Sequence, residues 1–436
     1  MPQALFPPTS VPILAEGEGA PRRPGSVIVH VANMDMLMLA YGDRLQAHLH
    51  EAVVQRLRAC GFTAHCLSGE RAVFLMDLKA EAYESPTALD QLLERVRSVL
   101  EDHPIPFEAE RVYLRAGLDV FYLPDGRVST EVQEAVAVLG SASDHGKGRV
   151  VANLRSDLLQ AGMLLDALEE GTLALAFQPI LRTDGSVLYH EALLRHAAPG
   201  ARGAFNLPQA IMALERTGGA ARLDQCVVWT CVRLLQEHPD QRLGCNVSAS
   251  SLGDAAWWRL LLAFLAEHPQ VAGRLVLEIT ETSAVPTSAE TFDLLAQLRA
   301  CGARIAIDDM GAGHSTLEFL ARSLADVVKM DRNLLIHALH SPAPADMLRN
   351  LVAACSVLCP CVVVEGIETA AEFAAVQQSG ARGLQGFLIQ VPELKPVWLN
   401  PALAIVAGDA AAAAAPLPVQ GATRPAGRAG LQPLAV

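Results

Sequence analysis

The chain has 436 residues, enough for two or three domains. Its composition, 51% hydrophobic and 19% charged, allows large buried cores and excludes a chain that is disordered throughout. With 34 basic and 47 acidic side chains the formal charge is −13, which argues against a generic basic grip on nucleic acid, so no DNA partner is expected; a local site for a small phosphorylated ligand stays open, because bound metal ions act against the global sign.

Residues 1–24 are rich in Pro, Gly and Ala and read as a flexible leader without the basic start and apolar core of a secretory signal. Residues 25–140 read as a smaller α/β domain. Segments 26–32 and 71–77 are strand-like apolar runs. Leu45, Leu49, Val53, Val54 and Leu57 recur at helical spacing, 87–101 is a further helix, and 112–123 holds two short strands. Residues 141–170 combine a glycine-rich linker with a connecting amphipathic helix over 149–170. Residues 401–436, dominated by Ala and Pro, read as a disordered tail.

Residues 171–400 alternate short apolar runs with helical stretches. Eight strand candidates stand at 173–181, 187–194, 243–248, 275–280, 304–308, 327–330, 361–364 and 383–389. This alternation predicts a closed TIM-like (β/α)8 barrel. The first two strands are joined by five residues, Arg182-Thr-Asp-Gly-Ser, too few for a parallel crossover, so one strand runs antiparallel. The longest apolar run, 351–364, is interrupted by Pro360 and shorter than the roughly 20 residues a membrane span needs. It reads as the end of a buried helix followed by a buried strand. Nine scattered cysteines are too few for a disulfide scaffold. Cys355, Cys359 and Cys361 lack a fourth zinc ligand, so free thiols in a reducing cytoplasm are expected.

Nearly every barrel strand ends in a group that binds metal or moves a proton: Glu191, Asn246, Glu278 with Glu281, Asp308 with Asp309, Lys329, Glu365 and Gln385. A lone acid after a strand is ordinarily a helix cap. A set repeating at successive strand ends converges on the face where such barrels place their chemistry. Crowded carboxylates repel one another, and divalent cations relieve this. Ligation by oxygen alone favours Mg²⁺ or Mn²⁺ over zinc. Asp308-Asp309 at one strand end suits two ions sharing a carboxylate, the clamp of phosphoryl displacement. Lys329 among these acids is paired whether it acts in chemistry or only in the fold.

The segments Phe177-Gln-Pro-Ile, Glu191-Ala-Leu-Leu-Arg, Asn246-Val-Ser, Glu278-Ile-Thr-Glu, Asp308-Asp-Met-Gly-Ala-Gly-His-Ser, Lys329-Met-Asp, Glu365-Gly-Ile-Glu-Thr and Gln385-Gly-Phe, in this order, resemble the EAL family of cyclic di-GMP phosphodiesterases. The resemblance implies hydrolysis of cyclic di-GMP to linear pGpG with two ions, Mg²⁺ or Mn²⁺. It implies that Glu191, Asn246, Glu278 and Asp308 hold one ion, and Asp308, Asp309 and Glu365 the other. Lys329, which orients or deprotonates the attacking water, Glu365 and Glu281 become catalytic residues. Gln178, Arg195 and Gln385 become substrate-binding residues, and Glu368 a supporting one. A homodimer is implied, and a regulatory protein partner is allowed. The alternative is a non-catalytic cyclic di-GMP receptor that signals through a protein partner. The chain departs from the family pattern at His196, Met310 and His314, none a proposed ligand.

Residues 25–140 resemble a degenerate GGDEF domain, with Ser68-Gly-Glu-Arg-Ala at the signature hairpin. Of the signature's central acids only Glu70 survives. His30 stands in place of the first metal-binding Asp, and Met38 and Leu39 in place of an Asn-Asp pair. The resemblance therefore implies no diguanylate cyclase activity.

Overall fold

The computed structural model describes residues 26–68, 72–78, 87–121, 149–197, 205–280, 288–311, 317–341, 343–399 and 404–405. The expected leader, the linker's glycine-rich part, Glu70, Glu281, His314 and nearly all of the expected tail lie outside them. Two compact units form: residues 26–86 with 116–121 contribute to the first, and 87–115 with everything after 148 to the second.

The first unit is built on β1 (Ser26–Val31), β2 (Ala64–Ser68) and β3 (Val73–Asp77). After a hairpin of β4 (Ile105–Phe107) and β5 (Glu110–Val112), which lies in the second unit, comes β6 (Ala116–Phe121). The sheet order is β2-β3-β1-β6 and every pairing is antiparallel. Between β1 and β2 run the helices Met34–Tyr41 and Asp43–Ala59. The latter buries Leu45, Leu49, Val53 and Leu57, the face its spacing predicts, with Val54 half-buried. Met38 and Leu39 fall on the first of these helices, which the sequence reading passed over. His30 sits over Gly117 on the neighbouring strand, and its Nε2 lies 3.4 Å from Asp119.

The second unit is the barrel. Its strands are β7 (Leu173–Arg182), β8 (Val187–His196), β9 (Leu243–Ser248), β10 (Leu275–Thr280), β11 (Arg304–Met310), β12 (Val327–Met330), β13 (Val362–Val364) and β14 (Gly383–Leu384). Neighbours from β8 to β14 pair in parallel, and β7 pairs antiparallel with both β8 and β14, closing the ring around one reversed strand. A two-residue strand β15 (Ala404–Ile405) adds antiparallel to β7. Helix Pro344–Leu358 precedes β13, as the apolar run predicts. β14 stops well short of residue 389. Gly386 lies so close to the Ile367 backbone that no Cβ fits there, and the chain turns, with Ile389 N–H donating to Gly386 O at 3.0 Å. Between barrel and surrounding helices lies the main core, which includes Trp229, Trp257 and Trp258. All nine cysteines are free.

Helix Ala88–Glu101 lies within this second unit, against helix Ala255–Glu267. Arg259 Nε binds Asp90 at 2.9 Å, Arg97 Nη1 meets Asp254 at 2.6 Å, and Arg222 donates to the carbonyls of Glu101 and Asp102 at the helix C-terminus. Those carbonyls have no partner inside the helix, and a cation there also complements the helix dipole.

Candidate active site

Residues two apart on a strand share a face. Each chemistry-bearing side chain follows a small or apolar inward residue along its strand: Tyr189 then Glu191, Gly244 then Asn246, Val276 then Glu278, Ala306 then Asp308, Val327 then Lys329, Val363 then Glu365, Gly383 then Gln385. On reversed β7 the order inverts to Gln178 then Ile180. Ile180, Tyr189, Val276, Ala306, Val327 and Val363 pack together as an inner core. The polar set stands one step further along the same faces, toward the C-terminal ends of the parallel strands.

A regular strand would send Asp308 and Asp309 to opposite faces. β11 breaks its register between Ile307 and Met310, and Asp309 takes φ +54°, a left-handed conformation uncommon outside glycine. Both carboxylates therefore reach one cluster. Oxygens of Asp308, Asp309 and Glu365 lie within 4.8 Å of one another, and so do oxygens of Glu191, Glu278 and Asp308. Asp308 belongs to both groups.

Lys329, 1% exposed, stands at the centre. Its Nζ lies 3.0 Å from Glu191 Oε2, 2.6 Å from Glu278 Oε2, 3.1 Å from Asp308 Oδ1 and 2.7 Å from Glu365 Oε1. Burial alone would lower the lysine pKa, but Asp308, Glu191, Glu278 and Glu365 outweigh it and hold the ammonium protonated. Burial pushes Glu278, Asp308 and Glu365 above the usual carboxylate range against the pull of Lys329, and neighbouring acids add to the rise. Burial and Asp308 raise Asp309 to about 6. Glu191 goes the other way: burial opposes its charge, but Lys329 and hydrogen bonds from Gln385, Lys329 and Asn246 more than offset this.

Gln385 Nε2 donates to Glu191 Oε2 at 2.6 Å and to Gln178 Oε1 at 3.2 Å, while Gln178 Nε2 donates to the Gln390 carbonyl at 2.8 Å. Both glutamines are buried and tie Glu191 to the segment after β14. Arg195 is half-buried near the end of β8, where Nη1 donates to its own strand's Leu194 carbonyl at 2.7 Å. Glu368 pairs with Arg332 at 2.8 Å, away from the carboxylate cluster. The structure thus gathers Glu191, Asn246, Glu278, Asp308, Asp309, Lys329, Glu365 and Gln385.

Three groups escaped the sequence reading. Tyr189 underlies Glu191, Gly244 makes room for it, and Asp224 on helix Ala220–Glu237 accepts from Ser248 N (2.8 Å) and Ser251 Oγ (2.6 Å) at the end of β9. The glycine inside Leu243-Gly-Cys-Asn was the available signal, because a glycine within a strand marks a close approach.

The donor set fits a divalent cation. It is all oxygen, and Asn246 Oδ1 is buried without a hydrogen-bond partner among the described residues. Asn246 spends its Nδ2 on Glu191 Oε1 at 3.0 Å, so its amide oxygen is turned away, free for another cation. Buried oxygens left this way are costly unless something else satisfies them.

A family model described as "EAL domain" matches residues 161–392, more than half of the chain. The chain is 29% identical, over 81% of its length, to the bifunctional diguanylate cyclase/cyclic di-GMP phosphodiesterase MucR of Pseudomonas aeruginosa, covering 53% of that protein. It is 28% identical over 80% of its length to the cyclic di-GMP phosphodiesterase NbdA of the same organism, covering 46% of it. The chain therefore spans about half the length of these curated relatives. A solved structure of the MucR phosphodiesterase in complex with c-di-GMP aligns with 54% of this chain and 97% of its own, at 31% identity and a TM-score of 0.47.

Proposed function

Because the chain belongs to the EAL domain family, we propose that its barrel hydrolyses cyclic di-GMP to linear 5′-pGpG with two divalent ions, Mg²⁺ or Mn²⁺. The observation that carries this reading is the double carboxylate cluster sharing Asp308 around Lys329. Five carboxylates, of Glu191, Glu278, Asp308, Asp309 and Glu365, with one ammonium carry a formal charge of −4, which two divalent ions neutralise. Glu191, Asn246, Glu278 and Asp308 would hold one ion, and Asp308, Asp309 and Glu365 the other. When bound, such a pair activates water for attack on phosphorus and offsets the charge that develops.

This chain's own residues do the rest. Lys329 donates N–H bonds and lends positive charge to the phosphoryl oxygens. It also orients or deprotonates the attacking water. Arg195 suits a phosphate oxygen pair through its planar fork. Gln178 and Gln385 fix the orientation of Glu191 through the hydrogen-bond chain described above. Glu281 remains a proposed catalytic residue outside the described set. We read the first unit, a four-stranded antiparallel sheet with two helices after its first strand, as a degenerate GGDEF domain, and expect no cyclase activity because His30, Met38 and Leu39 replace polar groups of the family pattern.

The test is turnover of cyclic di-GMP by the full-length protein with Mg²⁺ or Mn²⁺, read by separating pGpG from substrate. Turnover in the wild type and none in Asp308→Ala is expected. Tight binding of cyclic di-GMP without hydrolysis would replace the enzyme by a receptor.

A further inference from the structure

Among the described residues, two polar atoms at the base of the carboxylate cluster have no hydrogen-bond partner, and they complement each other. Tyr189 is 1% exposed, on β8 two residues before Glu191, and its hydroxyl makes no hydrogen bond. A buried phenol normally finds an acceptor. Glu278, fully buried on β10, has an Oε1 that likewise makes none, while its Oε2 is drawn to Lys329 at 2.6 Å. A phenol offers one donor and a carboxylate only acceptors.

The backbone brings them together. Gly244 of β9 pairs with Glu191 of β8 on one side and Val276 of β10 on the other, so it lies between the strands that carry the two side chains. A Cβ on Gly244 would overlap both the Tyr189 ring and Glu278 Oε1. The missing side chain is thus the niche that the ring edge and the carboxylate oxygen share.

We propose that Tyr189 is a positioning residue of the metal site: when an ion is bound, its hydroxyl donates to Glu278 Oε1 and so holds Oε2 toward the ion, with Gly244 as the space that lets the two side chains meet. The inference rests on the metal-dependent reading above. Outer hydrogen-bond partners of metal ligands typically govern about 10–100-fold in metal affinity. Tyr189 is such a partner acting through Glu278, and it does not touch substrate.

Tyr189→Phe keeps the ring and removes only the hydroxyl. In the full-length protein without nucleotide, Mn²⁺ titration followed by the electron paramagnetic resonance of free Mn²⁺ should show binding weakened by about 10–100-fold. A cooperative melt of the variant in metal-free buffer separates a loss of Mn²⁺ affinity from a loss of the fold. Mn²⁺ affinity equal to wild type would overturn the proposal. Should the wild type itself bind no Mn²⁺, the metal reading fails, and the proposal with it. A readout without a variant is carbon-13 labelling at the ring Cζ of the five tyrosines. One resonance should shift on Mg²⁺ titration, and no metal-dependent tyrosine shift in a protein that binds the ion would again refute the assignment.

Discussion

Lys329 places one ammonium among three buried carboxylates and the half-buried Glu365, and a buried charge stripped of its partner is expensive. Lys329→Met should therefore cost about 3–5 kcal/mol in metal-free buffer, read as a lower urea midpoint. Added Mn²⁺ should restore part of that loss, because binding to the folded state alone stabilises it. Turnover should stay absent at any Mn²⁺ level; a Lys329→Met protein that hydrolyses cyclic di-GMP normally would assign the lysine to the fold alone. Asp309 presents the opposite case. At φ +54° its backbone is strained, and the strain sets its carboxylate beside that of Asp308. Asp309→Gly should raise stability in metal-free buffer by about 1 kcal/mol and depress turnover at least tenfold. Urea denaturation and the pGpG assay read the two effects separately.

Each strand from β8 to β14 delivers a polar residue two positions beyond an inward-facing small or apolar one, with the order inverted on β7, which explains what the sequence revealed. The β9, β10 and β12 boundaries were legible because short apolar runs end abruptly at Asn246, Glu278 and Lys329 or just after them. β14 was not, since its end at Leu384 is fixed by the crossing of Gly386 over Ile367, a contact distant in sequence. The clustered acids were legible through strand-end position. Tyr189 was not, because in sequence it is one more apolar residue of β8, and only the neighbouring strands expose its unpaired hydroxyl. Helix Ala220–Glu237 supplies a further such element. Its Asp224 carries a pKa raised to about 7 by burial, with hydrogen bonds from Ser248 and Ser251 acting in the opposite direction. The folded state thus holds this proton where the unfolded chain, with a pKa near 3.9, has released it. Its contribution to stability is full below about pH 4 and is lost as pH rises through about 7. Asp224→Asn should flatten the fall in stability between those limits; an unchanged pH profile of urea midpoints would contradict the assignment.

At the scale of the molecule, residues 87–115 precede the barrel in the chain yet belong to its compact unit. Helix Ala88–Glu101 is held there by Arg259, Asp254 and Arg222. A shortened chain beginning at residue 87 should melt several degrees above one beginning at residue 149, while both retain Mn²⁺ binding if they fold. Equal melting temperatures would mean that these partly buried ion pairs contribute nothing net, their desolvation offsetting their attraction. The reversal of β7 has its own outcome. Its link to β8, closed by Arg182 N–H donating to Ser186 O at 2.7 Å, opens at the end of the barrel opposite the carboxylates, and Thr183, Asp184, Gly185 and Ser186 are exposed. That turn is a splice point for protein engineering: a fluorescent reporter or a light-responsive module inserted there would report from the barrel or tug on it while leaving the mouth clear.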